Sequence, residues 1–320
     1  MQARVLVPLR IAGTPPPWGQ TLQTLNGETM GTTWSVAFIG PDALRPELLR
    51  SAIAALFAEV IREMSPWESD SLISCFNHAE SDSRWTLPRG FATVLGAACK
   101  IAAASQGAFD PTAGALVRHW GFGPPGEVQP TRADWRALAW DGETATQPGG
   151  LQLDLSAIAK GYAVDRLSEL LNELGLPHHL AEIGGELRGA GFKPEGQPWW
   201  VDIEPPAADA GLQPLRIALH GLAIASSGDY RRVRFDTQGR RLSHTVDPRS
   251  GAPIAHGLAS VSVVHESAMW ADGWSTALMV MGLPDGLRFA TTLGLAARFV
   301  QREPGGYSEH FSPALQELLA

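Results

Sequence analysis

Residues 151–173 read LQLDLSAIAKGYAVDRLSELLNE, an apolar segment that passes through a short polar turn into an amphipathic one. The change in hydrophobic spacing predicts a strand over 151–155 and a helix over 158–174. A helix start presents unpaired N–H groups and a positive dipole, and Lys160 adds a formal charge, so this junction favours an anion such as a phosphate. A plain helix cap at Asp154 or Ser156 and a solvated Lys160 explain the same pattern equally well.

Outward from this segment, hydrophobic periodicity gives a coarse map of the chain. Strands cluster in the second half without regular alternation with helices, which argues against a doubly wound parallel sheet. No GxGxxG motif stands between a strand and a helix, so a Rossmann-type dinucleotide site lacks support. The predicted class is α+β. The other predicted helices lie at 46–64, 88–105 and 268–281, and the other predicted strands at 32–39, 215–225, 231–236 and 258–264.

The composition bounds the size and the partners of the protein. With 320 residues, of which 44% are hydrophobic, the chain can bury a large core in one domain or in two intimate ones. The formal net charge of −8 disfavours nucleic acid and anionic membrane as partners. The two cysteines, Cys75 and Cys99, form neither a disulfide framework nor a cysteine-rich zinc signature.

The N-terminal residues bear on location. The apolar run at 5–9 is too short to make a convincing signal peptide, and a lipoprotein signal would need a cysteine earlier than Cys75. No apolar stretch approaches the roughly 20 residues of a membrane-spanning helix. We therefore expect a cytoplasmic protein without a membrane span.

The segment GAFDPTAG at 107–114 follows an alanine-rich helix. An Asp-Pro pair between glycines is typical of a tight turn that ends a helix. The alternative is a ligand loop, because glycines let the backbone approach a ligand closely. In that case Phe109 would supply a stacking face and Asp110 a hydrogen-bond acceptor.

The segment SAMWADGWST at 267–276 places Asp272 and Thr276 four residues apart, on one face of the predicted helix. Carboxylate and hydroxyl oxygens suit Mg²⁺, which takes few protein ligands and completes its shell with water and phosphate oxygens. A surface aspartate that accepts a hydrogen bond from a threonine is the commoner outcome of this spacing.

Two further segments, 226–232 and 243–251, lie at predicted strand ends. His244 is the most suggestive candidate for a general base, because imidazole titrates near neutrality. A lone histidine is more often structural, and the Asp247-Pro248-Arg249 run with Gly251 also fits a plain β-turn.

Taken in order, these segments resemble the ApbE family of FAD:protein FMN transferases. The resemblance runs from about Thr24 almost to the C-terminus, which implies an N-terminal extension at 1–23, an ApbE-like domain of two intimate lobes at 24–312 and a tail at 313–320. The residues that carry it are Met30-Gly31-Thr32, Met64-Ser65, 71–77, 107–123, 153–165, 183–188, 227–230, 244–251 and 267–276.

The resemblance implies mixed or antiparallel sheets flanked by helices, with FAD and Mg²⁺ in a cleft between the lobes. It implies a metal site formed by the Ala157 carbonyl, Asp272 and Thr276. A carbonyl inside a helix already accepts from the N–H four residues on, so Ala157 can serve only where that bond is absent or shared. The residues that the resemblance places around FAD are Met30, Trp67, Ala108, Phe109, Asp110, Asp154, Lys160 and Val246.

The implied reaction is attack of an acceptor Thr or Ser hydroxyl on the FMN-side phosphorus of FAD, with release of AMP. Asp272 and His244 are the implied catalytic residues, His244 as the base, with Asp247 or solvent as alternatives. The implied acceptor is a redox flavoprotein. The rival functions are an FAD pyrophosphatase, with water as nucleophile, and a non-catalytic FAD-binding or delivery protein. The chain departs from the family pattern at Trp67, Glu186 and Gly273-Trp274, where a tyrosine, an aspartate and a smaller apolar pair are frequent.

Overall fold

The computed structural model of the chain describes residues 4–17, 19–41, 45–126, 128–207, 210–230, 233–235, 238–239 and 241–319. The helices in these ranges are α1 (Pro46–Met64), α2 (Leu72–Asn77), α3 (Arg89–Ala104), α4 (Gly114–His119), α5 (Ala159–Glu173), α6 (Ala268–Met281), α7 (Asp285–Leu293) and α8 (Pro313–Gln316). The strands are β1 (Arg4–Leu6), β2 (Thr21–Thr29), β3 (Thr32–Gly40), β4 (Arg84–Thr86), β5 (Ala139–Trp140), β6 (Thr144–Thr146), β7 (His179–Ile183), β8 (Glu186–Ala190), β9 (Trp199–Ile203), β10 (Leu215–Leu219), β11 (Leu222–Gly228), β12 (Val233–Phe235), β13 (Arg241–Ser243), β14 (Val246–Asp247), β15 (Ala252–Pro253), β16 (Leu258–His265), β17 (Ala296–Glu303) and β18 (Gly306–Phe311).

One large sheet forms the centre of the fold. Its strand order is β18-β17-β16-β11-β8-β7-β3-β2, and every neighbouring pair is antiparallel. The helices α5 and α6 pack on each other and cover this sheet, α5 over β7 and β8, and α6 over β11 and β16. The predicted α+β class with antiparallel sheets flanked by helices is confirmed.

A smaller sheet, β1-β10-β9, has its own apolar core, with Leu6, Ile217 and Leu315 at its centre. Both ends of the described chain join it, because β1 runs parallel to β10 and Leu6 forms a bridge to Leu319. The limits of the ApbE-like domain at 24 and 312 stay predictions. Among the described residues, no helix is long and apolar enough to cross a membrane.

Periodicity located the helices closely. The predicted helices at 46–64 and 268–281 coincide with α1 and α6. Those at 88–105 and 158–174 correspond to α3 and α5, each one residue shorter at both ends. The predicted strands at 32–39 and 258–264 are found as β3 and β16.

The predicted strand over 151–155 is wrong. Side chains, rather than a neighbouring strand, bond much of this backbone: Asn77 accepts from the N–H of Leu153 at 2.7 Å and donates to its carbonyl at 2.9 Å. Gln147 accepts from the N–H of Leu151 at 3.0 Å. A ladder therefore does not form, apart from a single parallel bridge between Gln152 and Ala113.

Two other predicted strands differ from those observed. The region 215–225 holds two strands in two different sheets, because Gly221 (φ 70°) turns the chain between β10 and β11. A positive φ is readily adopted by glycine, which explains the break. Of the predicted strand 231–236, β12 covers Val233–Phe235, and Arg231, Arg232 and Asp236 lie outside the described residues.

The crossing of α5 and α6 depends on Gly161. A Cβ atom at this position would lie 2.3 Å from the carbonyl oxygen of Ala268 and 2.8 Å from Cβ of Asp272. Any larger residue would force the two helices apart. Four residues further along α5, Asp165 accepts hydrogen bonds from the N–H groups of Ala268 and Met269, at 2.9 and 3.0 Å. The two helices are thus fixed together by a close contact and a cap.

We expect Gly161→Ala to destabilise the protein, although alanine is the better helix former. The helix propensity gain is about 1 kcal/mol, whereas forcing a methyl group against a backbone carbonyl costs about 1–3 kcal/mol or more. The measurement is the free energy of unfolding in urea, with Gly306→Ala as the control, because a Cβ at Gly306 meets open space. Equal stability of the two variants would contradict the close crossing.

Candidate active site where α5 and α6 meet

The start of α5 leaves one backbone carbonyl available to a ligand. Ile158, directly before the helix, has a non-helical backbone (φ −150°, ψ −24°). The N–H of Gly161, which a regular helix would direct to the Ala157 carbonyl, donates instead to Oδ2 of Asp272 at 3.0 Å. The next carbonyl, that of Ile158, accepts in the regular way from Tyr162 at 3.1 Å. The Ala157 carbonyl therefore lacks its helical hydrogen bond from Gly161, which is the condition for it to serve as a metal ligand.

Asp272 contacts this helix start, and Thr276, one turn further along α6, contacts the end of β11. Asp272 is buried, with 4% of its surface exposed. Burial raises the pKa of its carboxyl group, and the charge of Lys160 and the N–H of Gly161 oppose that rise. Oγ1 of Thr276 lies 3.1 Å from Oγ of Ser227, at the end of β11. Asp272 and Thr276 therefore do not form the solvent-exposed Asp–Thr pair that is common at this spacing.

Lys160 forms an ion pair with Glu186, the first residue of β8. Its Nζ lies 2.5 Å from Oε1 of Glu186, whose side chain is 5% exposed. Burial raises the pKa of Glu186 to about 7, the charge of Lys160 opposes the rise, and the charge of Asp272 adds to it. The solvated lysine considered from sequence is therefore replaced by a lysine that pairs with one buried carboxylate and whose charge also acts on a second, Asp272. In the sequence, Glu186 stands out only as a departure from the family pattern, and this pairing was missed.

The glycine-rich loop 107–114 packs on the segment before α5. The N–H of Gly114 donates to the Gln152 carbonyl at 3.0 Å, and the N–H of Asp154 donates to the Pro111 carbonyl at 2.8 Å. A Cβ at Gly114 would lie 2.8 Å from the Gln152 oxygen, so glycine is required for this approach. Asp154 is half-buried, and its carboxylate accepts from the N–H of Ser156 at 2.8 Å.

Within that loop, the expected ligand residues are buried. Ala108 and Phe109 are 0% and 3% exposed, and Phe109 belongs to the main core. The carboxylate of Asp110 accepts from the N–H and the hydroxyl of Thr112 at 2.8 and 2.7 Å, and from the N–H of Trp135 at 3.1 Å. Burial raises the pKa of Asp110, and these hydrogen bonds oppose the rise. The Phe109 ring is therefore packed in the core rather than exposed, and contacts of these three residues with FAD stay predictions.

His244 and Val246 lie on a second segment that packs against the residues after the loop. The half-buried His244 ring stands edge-on to Phe122, with centroids 6.2 Å apart. Val246 is buried with Leu116 and Ala113. Asp247, the alternative base, accepts from the backbone and guanidinium of Arg249 at 2.9–3.0 Å and forms the predicted turn.

Met30 and Trp67 are the remaining predicted FAD residues. Met30 occupies the two-residue turn between β2 and β3 with φ 49°, which is uncommon for a residue with a side chain. Its side chain is partly buried against the main core. Trp67 is 56% exposed, with a local hydrogen bond from its N–H to Ser65 at 3.3 Å. Contacts of either residue with FAD stay predictions.

The donor set at the crossing fits a hard divalent cation. It offers the Asp272 carboxylate, the Ala157 carbonyl released from its helical bond and the Thr276 hydroxyl, all of them oxygens, as Mg²⁺ requires. Three or more His, Cys, Asp or Glu residues do not gather into a metal-binding cluster anywhere in the described part of the chain. This composition suits an ion that keeps several waters or phosphate oxygens and argues against zinc.

Similar proteins were found both by sequence and by structure. The chain is 34% identical to a FAD:protein FMN transferase of Klebsiella pneumoniae, over 96% of this chain and 92% of the relative. It is 36% identical to a FAD:protein FMN transferase of Haemophilus influenzae, over 92% and 91% of the two chains.

Among solved structures, the apo form of Pseudomonas stutzeri flavinyl transferase ApbE superposes with a TM-score of 0.85 at 37% identity, covering 93% of this chain and 97% of that one. The flavin transferase ApbE from Vibrio cholerae gives a TM-score of 0.83 at 33% identity, with 93% and 99% covered. The sequence profile of the ApbE family matches residues 30–299. The chain therefore belongs to the ApbE family.

Proposed function

We propose that this protein transfers the FMN half of FAD to a Thr or Ser hydroxyl of an acceptor protein and releases AMP. The observation that carries the proposal is the convergence at the α5–α6 crossing of Asp272, the released Ala157 carbonyl and Lys160. Oxygen donors for a cation thus stand beside a lysine and a helix start, in a chain whose relatives bear the name FAD:protein FMN transferase.

In this reaction the acceptor hydroxyl oxygen forms a bond to the FMN-side phosphorus. The bond from that phosphorus to the bridging oxygen breaks, AMP leaves with this oxygen, and the hydroxyl proton passes to a base. Such transfer depends mainly on alignment and charge neutralisation. Mg²⁺, when bound by Asp272, Thr276 and the Ala157 carbonyl, would neutralise charge on the pyrophosphate.

Other groups of the protein bind the pyrophosphate and accept the proton. Lys160 and the positive end of the α5 dipole attract the pyrophosphate. His244 accepts the hydroxyl proton, with solvent as the alternative, since Asp247 is already bound to Arg249. The burial of Asp272 keeps water from competing for its carboxylate. The cytoplasmic location and a redox flavoprotein as acceptor stay predictions.

The deciding experiment incubates the protein with FAD, Mg²⁺ and a candidate redox flavoprotein acceptor. Covalent flavin on the acceptor together with AMP is the expected result. AMP without labelled acceptor would mean that the protein hydrolyses FAD, and unchanged FAD would mean that it only binds the cofactor. Either result, repeated with several acceptors, would overturn the proposal.

We expect His244→Ala to lower the transfer rate by about 10²- to 10⁴-fold, the range typical of general-base catalysis, with little change in FAD affinity. A base acts on the attacking hydroxyl rather than on bound FAD, so kcat should fall without a matching rise in the Kd for FAD. The measurements are single-turnover transfer and fluorescence titration of FAD. His310→Ala, at the far edge strand β18, is the control. Loss of FAD binding in His244→Ala would make the residue a cofactor ligand instead.

We expect Asp272→Asn to keep the fold and nearly abolish transfer at ordinary Mg²⁺ concentrations. Asparagine can still accept from the N–H of Gly161, but it lacks the charge that Mg²⁺ prefers. Raising the Mg²⁺ concentration should partly restore the rate. Thr276→Val should act in the same direction more weakly, because it removes a neutral donor.

The measurement is transfer rate against Mg²⁺ concentration, with circular dichroism as the folding check. Asp285→Asn is the matched control, because that aspartate is exposed at the start of α7 and paired with Arg288. Overlapping curves for the wild type and the Asp272 and Thr276 variants would remove both residues from the metal site.

A further inference from the structure

One buried oxygen at the crossing has no hydrogen-bond partner in the part of the chain that the structure describes. Glu186 is 3% exposed, and its Oε1 is paired with Lys160 at 2.5 Å. Its other oxygen, Oε2, is buried and has no hydrogen-bond partner among the described residues. Buried carboxylate oxygens are normally satisfied, because leaving one without a partner costs free energy. The Oε2 atom therefore marks a place for a further donor or a cation.

The charges at this place do not balance. Lys160 is the cation that acts on two buried carboxylates, those of Glu186 and Asp272. With both acids ionised, one ammonium and two carboxylates carry a net charge of −1 in a site where both acids are almost inaccessible to water. A divalent cation in place of the ammonium would give a net charge of 0, and together with it a net charge of +1 suited to an anionic phosphate.

Lysine is the residue type that can make this exchange. Its ammonium is a compact charge on a flexible stem, whereas the planar guanidinium of arginine fixes a paired geometry. The Lys160 side chain is 31% exposed, so part of it already reaches solvent. The chain contains 3 lysines against 22 arginines. A lysine at this position therefore departs from the chain's own strong preference for arginine.

We propose that Lys160 holds the place of the divalent cation while none is bound, and that Glu186 joins Asp272 as a second carboxylate for that cation, directly or through a water. When the cation binds, Glu186 exchanges the Lys160 ammonium for it, and the ammonium becomes available to a phosphate. Only this last step rests on the proposed function. Cation binding by Glu186 is a property of the protein alone and can be tested without FAD.

The test is Mn²⁺ binding to the FAD-free protein, followed by the electron paramagnetic resonance signal of free Mn²⁺. Glu186→Gln should weaken binding by about 10- to 100-fold, the usual cost of losing a supporting metal ligand. Lys160→Met should tighten binding, because it removes the competing ammonium. Lys100→Met, an exposed lysine on α3, is the matched control and should change nothing.

A double variant separates exchange from a general charge effect. If Lys160 and the cation compete for Glu186, the Lys160→Met substitution should tighten binding much less when Glu186 is already glutamine. If Lys160 acts on the cation only through long-range electrostatic repulsion, the effects of Lys160→Met and Glu186→Gln on Mn²⁺ affinity should add. The proposal then falls. It also falls if Glu186→Gln binds Mn²⁺ as tightly as the wild type. Thermal unfolding of each variant confirms that it is folded.

The result also separates this inference from the proposed function. Weak Mn²⁺ binding in Asp272→Asn with normal binding in Glu186→Gln would leave the metal site and FMN transfer standing and overturn the role of Glu186. Normal binding in both variants would overturn the metal site itself.

Discussion

The cap that Asp165 places on α6 is the interaction on which the rest of the site depends. Its carboxylate accepts from the hydroxyl of Ser267 at 2.6 Å and from the first two N–H groups of α6. Arg188 of β8 pairs with the same carboxylate. One buried acid thus joins a helix start, a second helix and the central sheet, and charge-assisted hydrogen bonds of this kind are the strong ones.

This cap fixes the register of the two helices. Asp165 meets the start of α6 at Ala268, and one turn back along α5 Gly161 meets Asp272, one turn further along α6. The Gly161–Asp272 bond has two effects, because it satisfies a buried carboxylate and withdraws the N–H that would otherwise occupy the Ala157 carbonyl. The carboxylate ligand of the proposed cation site therefore frees the carbonyl ligand.

Part of this arrangement could be predicted from sequence, because part of it is local. The helices and their spacing follow from periodicity, so the shared face of Asp272 and Thr276 was accessible from the sequence. The strand predicted at 151–155 does not form because the side chains of Asn77 and Gln147 bond its backbone. Hydrophobic spacing gives no sign of such side-chain bonds. The Lys160–Glu186 pair joins residues 26 positions apart, one on α5 and one on β8. Periodicity locates such elements but does not predict how they pack together. The burial of Phe109 likewise follows from tertiary packing rather than from the local turn.

The end of β11 connects the proposed cation site with the segment that carries His244. Ser227 contacts Thr276 on the cation side, at 3.1 Å. Two residues later, Asp229 binds Arg241, three residues before His244.

Burial alone would raise the pKa of Asp229, but hydrogen bonds from Arg302 and Arg241 outweigh it and lower the pKa. A lowered pKa means that the carboxylate stays ionised at any pH above the ordinary range of an aspartate. Its ion pairs with Arg241 and Arg302 therefore stay intact there. The end of β11 thus contacts the proposed cation site through Ser227, and Asp229, the residue after the strand, anchors the segment of the candidate base. Two groups anchored to neighbouring positions of the chain stay close to a fixed relation, which transfer of a phosphoryl group between two bound partners requires.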